Sequence, residues 1–226
     1  MSLIRLRCPR PRKREIAVKD YVYRTVRPRS LTRDVLRLRV DFFDVVDRRR
    51  TRRNFGAVSE RQLSSFLWWT AFTRMAVRQK SGFILEYRPT PSAGGRHPVD
   101  LMIVRRQGSR WRAWLYEPMT HHLLLLDVRY QLLCRLVEQA NQLVSVKRAT
   151  IIWFVSQPER TASKYVNSES LVWRDAGVLI GHMALVAEAL ELSFCPLGTT
   201  GEPIVSTLLG GGGQVAGVGG CLLGSA

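Results

Sequence analysis

The sequence predicts one compact domain of the α/β or α+β class. The chain has 226 residues, of which 46% are hydrophobic, so it is long and apolar enough to bury one good-sized core. Runs rich in β-branched and aromatic residues predict strands, and apolar residues repeated at intervals of three and four predict helices. This composition excludes a disordered or purely fibrous protein.

Residues 1–39 are predicted to form a basic N-terminal arm, and residues 40–226 the globular domain. Prolines 9, 11 and 28 interrupt any helix within the arm. Residues 1–53 hold 18 Lys and Arg against 6 Asp and Glu, in a chain whose net charge is +17. Such a segment attracts polyanions and acidic peptides, with an affinity that falls as salt rises. Nucleic acid is therefore one candidate partner, and a solvated Arg-rich surface is the alternative.

The predicted elements follow in order from residue 59. A capping box at Ser59 and Gln62 begins a helix with the apolar positions Leu63, Phe66, Leu67 and Ala71. Two strand-like runs, 101–104 and 111–116, flank the turn residues 107–109 and predict a hairpin or neighbouring strands. Later patterns predict a helix over 132–140, a central strand over 149–155, a long and mostly buried helix over 168–191, a short helix over 203–209 that stops at Gly210, and a last strand over 218–223.

Several classes of protein are not expected. The longest apolar runs, 149–155 and 178–192, are too short or too interrupted to span a bilayer, and no apolar block follows the basic first residues as a secretory signal requires. We therefore expect a cytoplasmic protein without a transmembrane helix. The four cysteines and four histidines lack the spacing of metal ligands, so we expect no metal site.

Three segments carry residues suited to binding a ligand. In the run 49–55, Arg49, Thr51 and Arg53 alternate, so an extended backbone would point them to one side, where two guanidiniums and a hydroxyl suit a phosphate. In the segment 91–98, small residues let the backbone approach a flat ligand. Residues 195–198 follow the long helix, and their Pro and Gly predict a rigid loop. A solvated face and ordinary turns are the alternatives for these segments.

The glycine-rich tail, from Gly210 to Gly220, fits no nucleotide-binding loop. It contains neither the GxGxxG spacing of a dinucleotide site nor the GK pair of a P-loop. We expect a flexible surface loop there.

In this order, the three segments resemble the signature of the nitroreductase-like flavoproteins, which have an RRSxRxF run, a PSxG loop before a strand and a CPxG loop after a long helix. The resemblance covers about residues 21–224. Within that group the chain looks most like the SagB-type dehydrogenases, which include the azoline oxidases of peptide-modifying complexes. The particular matches are LWW at 67–69, PSAGGRHP at 91–98, LYEP at 115–118 and RDAG at 174–177.

The resemblance implies an α+β sandwich, with a mixed sheet flanked by helices, that binds FMN between the two subunits of a homodimer. It implies that the FMN phosphate is bound by Arg49, Thr51 and Arg53. The flavin would lie beside Ser92, Ala93 and Gly94, and the backbone of Pro196, Leu197 and Gly198 would approach the reactive side of the ring. The C-terminus departs from the family pattern, because it lacks the basic residues that often help to grip the phosphate.

Lys164 and Tyr165 match a Lys-Tyr pair that azoline oxidases place near the flavin. Ring oxidation removes a carbon-bound proton, so the reaction needs a base. A tyrosine hydroxyl is ordinarily a poor base at neutral pH, but a neighbouring ammonium favours its ionised form, and a desolvated lysine can itself serve. A surface pair at a helix entry is the structural alternative.

Three functions remain open at this point. The first is an FMN-dependent dehydrogenase that oxidises thiazoline or oxazoline rings in a peptide handled with partner proteins. The second is an NAD(P)H-dependent reductase of nitro compounds or quinones. The third is a basic protein that binds nucleic acid or peptide on a flavin fold.

Overall fold

A seven-stranded sheet forms the centre of the fold in the computed structural model, which describes residues 6–226. The strands are β1 (Arg10–Pro11), β2 (Thr25–Ser30), β3 (Met75–Arg78), β4 (Ile84–Tyr87), β5 (Val99–Gln107), β6 (Arg110–Glu117), β7 (His122–Leu126), β8 (Thr150–Ser156), β9 (Tyr165–Val166), β10 (Leu192–Leu197) and β11 (Ala216–Ser225). The helices are α1 (Phe42–Arg48), α2 (Glu60–Thr70), α3 (Tyr130–Asn141), α4 (Pro158–Ala162), α5 (Glu169–Ala189) and α6 (Ile204–Leu209).

The sheet order is β10-β11-β8-β5-β6-β7-β2, and every neighbouring pair is antiparallel. Two short antiparallel pairs, β1 with β9 and β3 with β4, lie outside this sheet. The predicted fold class, α+β with a sheet flanked by helices, is confirmed, and the pairs of this sheet are antiparallel where a mixed sheet was expected.

Strand β8 explains how one sheet supports two cores. All seven of its residues are buried, and successive side chains point to opposite faces. Ile152 and Phe154 join the core cluster that α2 and α5 cover, whereas Trp153 and Val155 join the cluster that α3 and α6 cover. The unbroken apolar run that predicted a central strand is therefore the consequence of helices packing on both faces.

The local signals for helix ends and turns are also confirmed. Ser59 accepts from the Gln62 backbone, the Gln62 side chain accepts from the Ser59 backbone, and α2 begins one residue later. Helix α6 ends at Gly210, which takes the left-handed φ of 69° that glycine tolerates. Strands β5 and β6 form the expected hairpin.

We predicted a surface loop for the glycine-rich tail, but only part of the tail is a loop. Gly217, Gly219 and Gly220 belong to β11, a buried strand between β10 and β8. A Cβ built at Gly217 would lie 2.2 Å from the carbonyl oxygen of Thr200, and one at Gly220 would lie 2.9 Å from that of Ile152. These glycines therefore permit close backbone approach inside the sheet, which composition alone does not reveal.

Helix α5 is less buried than predicted. Val172, Leu179 and Met183 pack in the core, but Trp173 is 51% exposed and Val178 is 42% exposed. By length and composition alone this helix would also pass for a membrane span, yet its packed face is that of a core helix. The cytoplasmic location expected from the sequence stays a prediction.

The arm lies along the domain instead of projecting from it. Strand β2 forms one edge of the main sheet by pairing with β7, and Leu31 is buried in the core. Residues 1–5 of the predicted arm lie outside the described residues, and its division from the domain at residue 39 stays a prediction.

Candidate functional site

The arginine run follows α1 and has no regular secondary structure. Arg49, Thr51 and Arg53 are exposed. Arg52 is half-buried, and both ends of its guanidinium donate to the carboxylate of Glu188 in α5, one of them at 3.0 Å. The carboxylate of Glu188 raises the pKa of Arg52 above its ordinary value. Arg50 is exposed as well, so the alternation expected from the sequence stays a prediction, and Arg52 anchors the run.

The segment 195–198 is not the loop that we predicted. Cys195, Pro196 and Leu197 form the end of β10 and pair with β11. Proline is tolerated because β10 is an edge strand, where a missing N–H breaks no ladder. Pro196 and Gly198 are exposed, whereas the Leu197 side chain is buried, so Leu197 can offer a ligand only its backbone.

Arg53 lies beside the same strand, and the Arg52 N–H donates to the carbonyl of Phe194 at 3.0 Å. Burial raises the pKa of the Cys195 thiol, and the Arg53 guanidinium opposes that rise. The thiol is therefore neutral near pH 7. These contacts bring the arginine run and the 195–198 segment together as one surface, called here the arginine cluster: Arg49, Thr51, Arg53, Pro196, Leu197 and Gly198.

The loop before β5 is held by a buried carboxylate of α5. The Ser92 hydroxyl donates to Asp175 at 2.6 Å, and the Ala93 N–H donates to the same carboxylate at 3.1 Å. The His97 N–H in turn donates to the Ser92 hydroxyl at 2.8 Å. Burial raises the pKa of Asp175, and these hydrogen bonds oppose the rise. The Ser92 hydroxyl thus holds the loop through two hydrogen bonds. A ligand would therefore meet mainly the backbone of the loop.

Asp175 is a site residue whose role the sequence reasoning missed. It lies in the RDAG segment that contributed to the family resemblance, which was the available signal. Its contact with Ser92 spans 83 positions of the chain, so no local pattern could show it.

Gly94 brings this loop against Lys164 and Tyr165. Its φ is +63°, and a Cβ built on it would lie 2.7 Å from the Tyr165 hydroxyl and 2.9 Å from Cδ of Lys164. Both the left-handed backbone and the lack of space require glycine. Ser92, Ala93, Gly94, Lys164 and Tyr165 therefore form a second group, called here the lysine–tyrosine cluster.

The two clusters contact opposite parts of α5. Asp175 holds the lysine–tyrosine cluster and Glu188 holds the arginine run, as described above. These positions are 13 residues apart (188 − 175), which corresponds to about 20 Å along a helix. Within one chain the predicted site residues are therefore brought together in two places and not in one.

Neither of two neighbouring cavities joins the clusters. A cavity beside Ser92 and Asp175 has a volume of about 30 Å³, close to the room that one water molecule occupies. A larger cavity of about 680 Å³ lies under the arm and is lined by Tyr21, Tyr23 and Arg96, among others. None of the predicted site residues lines the larger cavity.

His97 lies in the same loop as Ser92, to whose hydroxyl its backbone N–H donates. Burial, assisted by the charge of Arg88, lowers the pKa of His97 to about 4. Its Nε2 lies 3.0 Å from the carbonyl oxygen of Glu86, a contact that the neutral ring makes by donating from that nitrogen. His97 is therefore neutral at pH 7.

Comparison with known proteins matches the chain to one family and to several solved structures of similar fold. The nitroreductase family model matches residues 46–224. A putative nitroreductase from Ralstonia eutropha is 16% identical, with a TM-score of 0.66 over 97% of this chain and 98% of that one. A chain of the Escherichia coli microcin synthetase McbBCD complex, solved with truncated pro-MccB17 bound, is 15% identical, with a TM-score of 0.58 over 84% of this chain and 74% of that one.

A third similar structure, a putative nitroreductase from Desulfovibrio desulfuricans in complex with FMN, is 17% identical, with a TM-score of 0.51 over 83% of this chain and 87% of that one. At these identities the likeness concerns the fold alone. Among proteins with curated functions, none matches the sequence significantly.

Proposed function

This chain belongs to the nitroreductase family of FMN-dependent oxidoreductases, and from that premise we propose that it oxidises thiazoline or oxazoline rings to azoles in a modified peptide. The observation that carries the proposal is the contact of Lys164 and Tyr165 with Gly94. In this contact, two side chains that can accept or transfer a proton lie against the loop that would flank the flavin.

The residues of the arginine cluster fit the phosphate of FMN. Arg49 and Arg53 are exposed, and neither has a carboxylate partner among the described residues, because Glu188 is taken by Arg52. Two available guanidiniums with the Thr51 hydroxyl between them suit a phosphate dianion. The exposed backbone around Pro196 and Gly198 lies beside them and would approach the ring.

Ring oxidation requires a proton and a hydride to leave the azoline. Bound FMN would supply the hydride acceptor. The protein would supply the base: Tyr165 takes the proton at its hydroxyl oxygen, with the Lys164 side chain beside it against Gly94. Asp175 holds the loop through Ser92 and Ala93, so that Gly94 keeps its close approach to both side chains.

We propose that one flavin site uses an arginine cluster from one subunit and a lysine–tyrosine cluster from the other. The separation of about 20 Å along α5 supports this arrangement. The outward face of α5 supports it too, because Trp173 and Val178 are large apolar residues left exposed in the single chain. A homodimer would cover them.

We further propose that the protein acts with a peptide-cyclising partner, since its own fold accounts only for the oxidation step. The similar fold within a microcin synthetase complex supports such an assembly. The competing function is an NAD(P)H-dependent reductase of nitro compounds or quinones, which the similarity to putative nitroreductases favours.

Anaerobic mixing of the yellow protein with either reductant separates these functions. We expect an azoline peptide to bleach the bound flavin in a single turnover and to emerge as the azole, whereas NADPH bleaches it only slowly. Rapid bleaching by NADPH with none by azoline peptides would establish the reductase. A protein that stays colourless in excess FMN and binds nucleic acid at physiological salt would establish the basic binding protein.

A further inference from the structure

We propose that residues 10–16 of the arm act as a clamp, called here the arm clamp, that positions Lys164 and Tyr165 against Gly94. Glu15 is its main positioning residue and acts through the buried Arg96. This inference rests on the proposed function, because it assigns the arm a part in the chemistry of that site.

The first side of the clamp holds the Lys-Tyr segment along its backbone. The Arg12 N–H donates to the carbonyl of Lys164 at 2.8 Å, and its Nε donates to that of Ala162 at 2.7 Å. The Ile16 N–H donates to Ser163 at 2.9 Å. Pro11 lies opposite Tyr165 in the β1–β9 pair. Each of four consecutive residues, 162–165, is therefore contacted by the arm.

The second side of the clamp holds the glycine loop through an ion pair. Glu15 lies 2.5 Å from the guanidinium of Arg96, whose side chain is 0% exposed. The Ser81 hydroxyl donates to the same carboxylate at 3.0 Å, and the guanidinium carbon of Arg96 lies 3.9 Å from the ring centre of Phe83. The contact with Arg96 lowers the pKa of Glu15, so the carboxylate is ionised at neutral pH.

Glu15 matters because Arg96 has so few other partners. None of the three guanidinium nitrogens of Arg96 has a partner with hydrogen-bond geometry among the described residues, so the ion pair with the Glu15 carboxylate supplies its compensating charge. A buried guanidinium that loses its counter-charge is strongly unfavourable and would move towards water. Arg96 is two residues from Gly94, so this movement would open the contact with Lys164 and Tyr165.

The same seven-residue stretch thus binds both surfaces that must meet. Strand β1 has only two residues, so it depends on the neighbouring contacts of Arg12, Glu15 and Ile16. An arm that served only to attract anions would need its arginines and lysines, but it would not need Glu15. The negative residue of the clamp therefore distinguishes the two roles.

The test compares Glu15→Gln with Lys19→Gln in the full-length flavoprotein. Lys19 is exposed and lies outside the clamp. In anaerobic single turnovers with an azoline peptide, we expect Glu15→Gln to lower the limiting rate of flavin reduction by about 10- to 100-fold, in keeping with a small misplacement of reacting groups. Flavin content and the peptide concentration that gives half of the limiting rate should stay unchanged, and so should all three quantities in Lys19→Gln.

Hydrogen–deuterium exchange tests the clamp without any substrate. Glu15→Gln should speed exchange at the Arg12 and Ile16 amides, which donate to the Lys-Tyr segment, whereas Lys19→Gln should not. If azoline peptides fail to reduce the flavin of the wild-type protein, the proposed function is contradicted, and the exchange comparison still tests the clamp.

Wild-type limiting rate and wild-type exchange in Glu15→Gln would overturn the clamp. If that variant loses its flavin, Glu15→Asp is measured in the same way, because it keeps the charge on a shorter side chain. Faster exchange and an intermediate rate in Glu15→Asp would support the clamp, and wild-type values of both would overturn it.

Discussion

The two clusters differ in how the protein holds them. The arginine cluster is an open surface: Arg49 and Arg53 are exposed and have no carboxylate partner among the described residues, whereas the neighbouring Arg52 is paired with Glu188. The lysine–tyrosine cluster is closed, because Asp175, the arm and the neighbouring backbone all fix it. Open guanidiniums suit a ligand that must bind and leave, and a fixed proton acceptor suits a step that tolerates little misplacement. If the proposed roles hold, the difference means that binding and chemistry are built by separate parts of the chain.

The largest effect is expected from the closed cluster. Tyr165→Phe keeps the ring but removes the hydroxyl, and Lys164→Ala removes the neighbouring charge. Each variant should stay folded and yellow, yet reduce its flavin with an azoline peptide about 10²- to 10⁴-fold more slowly. The double variant should be little worse than the more damaging single one, because the two residues act as a unit in the proposed mechanism. Wild-type rates in both single variants would move the base elsewhere.

A smaller effect is expected at the open cluster, and it should fall on binding. Arg49→Ala or Arg53→Ala should weaken FMN binding by about 1.5–3 kcal/mol, the range for hydrogen bonds to charged groups. Lysine at either position should restore only part of the loss. Titration of the apoprotein with FMN measures the affinity.

Arg52→Ala is the matched control within the same run. It should lower the free energy of unfolding, because it leaves the buried Glu188 carboxylate unpaired. Equal FMN affinity in the wild type, Arg49→Ala and Arg53→Ala would mean that the run is only a solvated face.

The smallest effect concerns acid. The pKa of His97 is about 4 in the folded protein and 6.5 ordinarily, so the unfolded chain takes up its proton first. The stability that neutral His97 contributes is therefore complete above pH 6.5 and is lost as pH falls towards 4. The loss amounts to about 1–2 kcal/mol once partial exposure is allowed for. Urea unfolding at pH 7.5 and pH 5 measures this loss. His97→Gln should reduce the pH dependence, and an unchanged dependence would contradict the assignment.

Much of the fold was predictable because its signals are local. The capping box at Ser59, the stop at Gly210 and the buried run of β8 each depend on neighbouring residues. The strand at residues 195–197 was missed because Pro196 and Gly198 favour a loop. Only pairing with the distant β11 makes residues 195–197 part of an edge strand. The predicted last strand over 218–223 included Gly219 and Gly220, but the close backbone approach that the glycines of β11 permit was missed, because it too depends on distant residues.

The candidate residues came from a resemblance, but their arrangement required the structure. No sequence pattern shows that Asp175 holds Ser92, or that Glu15 of the arm reaches Arg96 across 81 positions (96 − 15). Nor does the sequence show that the clusters lie apart, since that depends on where each meets α5. Long-range contacts of this kind are set by packing.

The central claim is that one flavin site is built from both clusters, each supplied by a different subunit. Two inactive proteins test it: Arg49→Ala with Arg53→Ala, and Lys164→Ala with Tyr165→Phe. The two variants are refolded together in equal amounts, at an FMN concentration that saturates the wild type but not the arginine variant. Random pairing then makes half of the dimers mixed. Each mixed dimer would hold one intact site, so azoline oxidation should recover to about a quarter of the wild-type rate. No recovery above the two parent proteins would contradict the shared site.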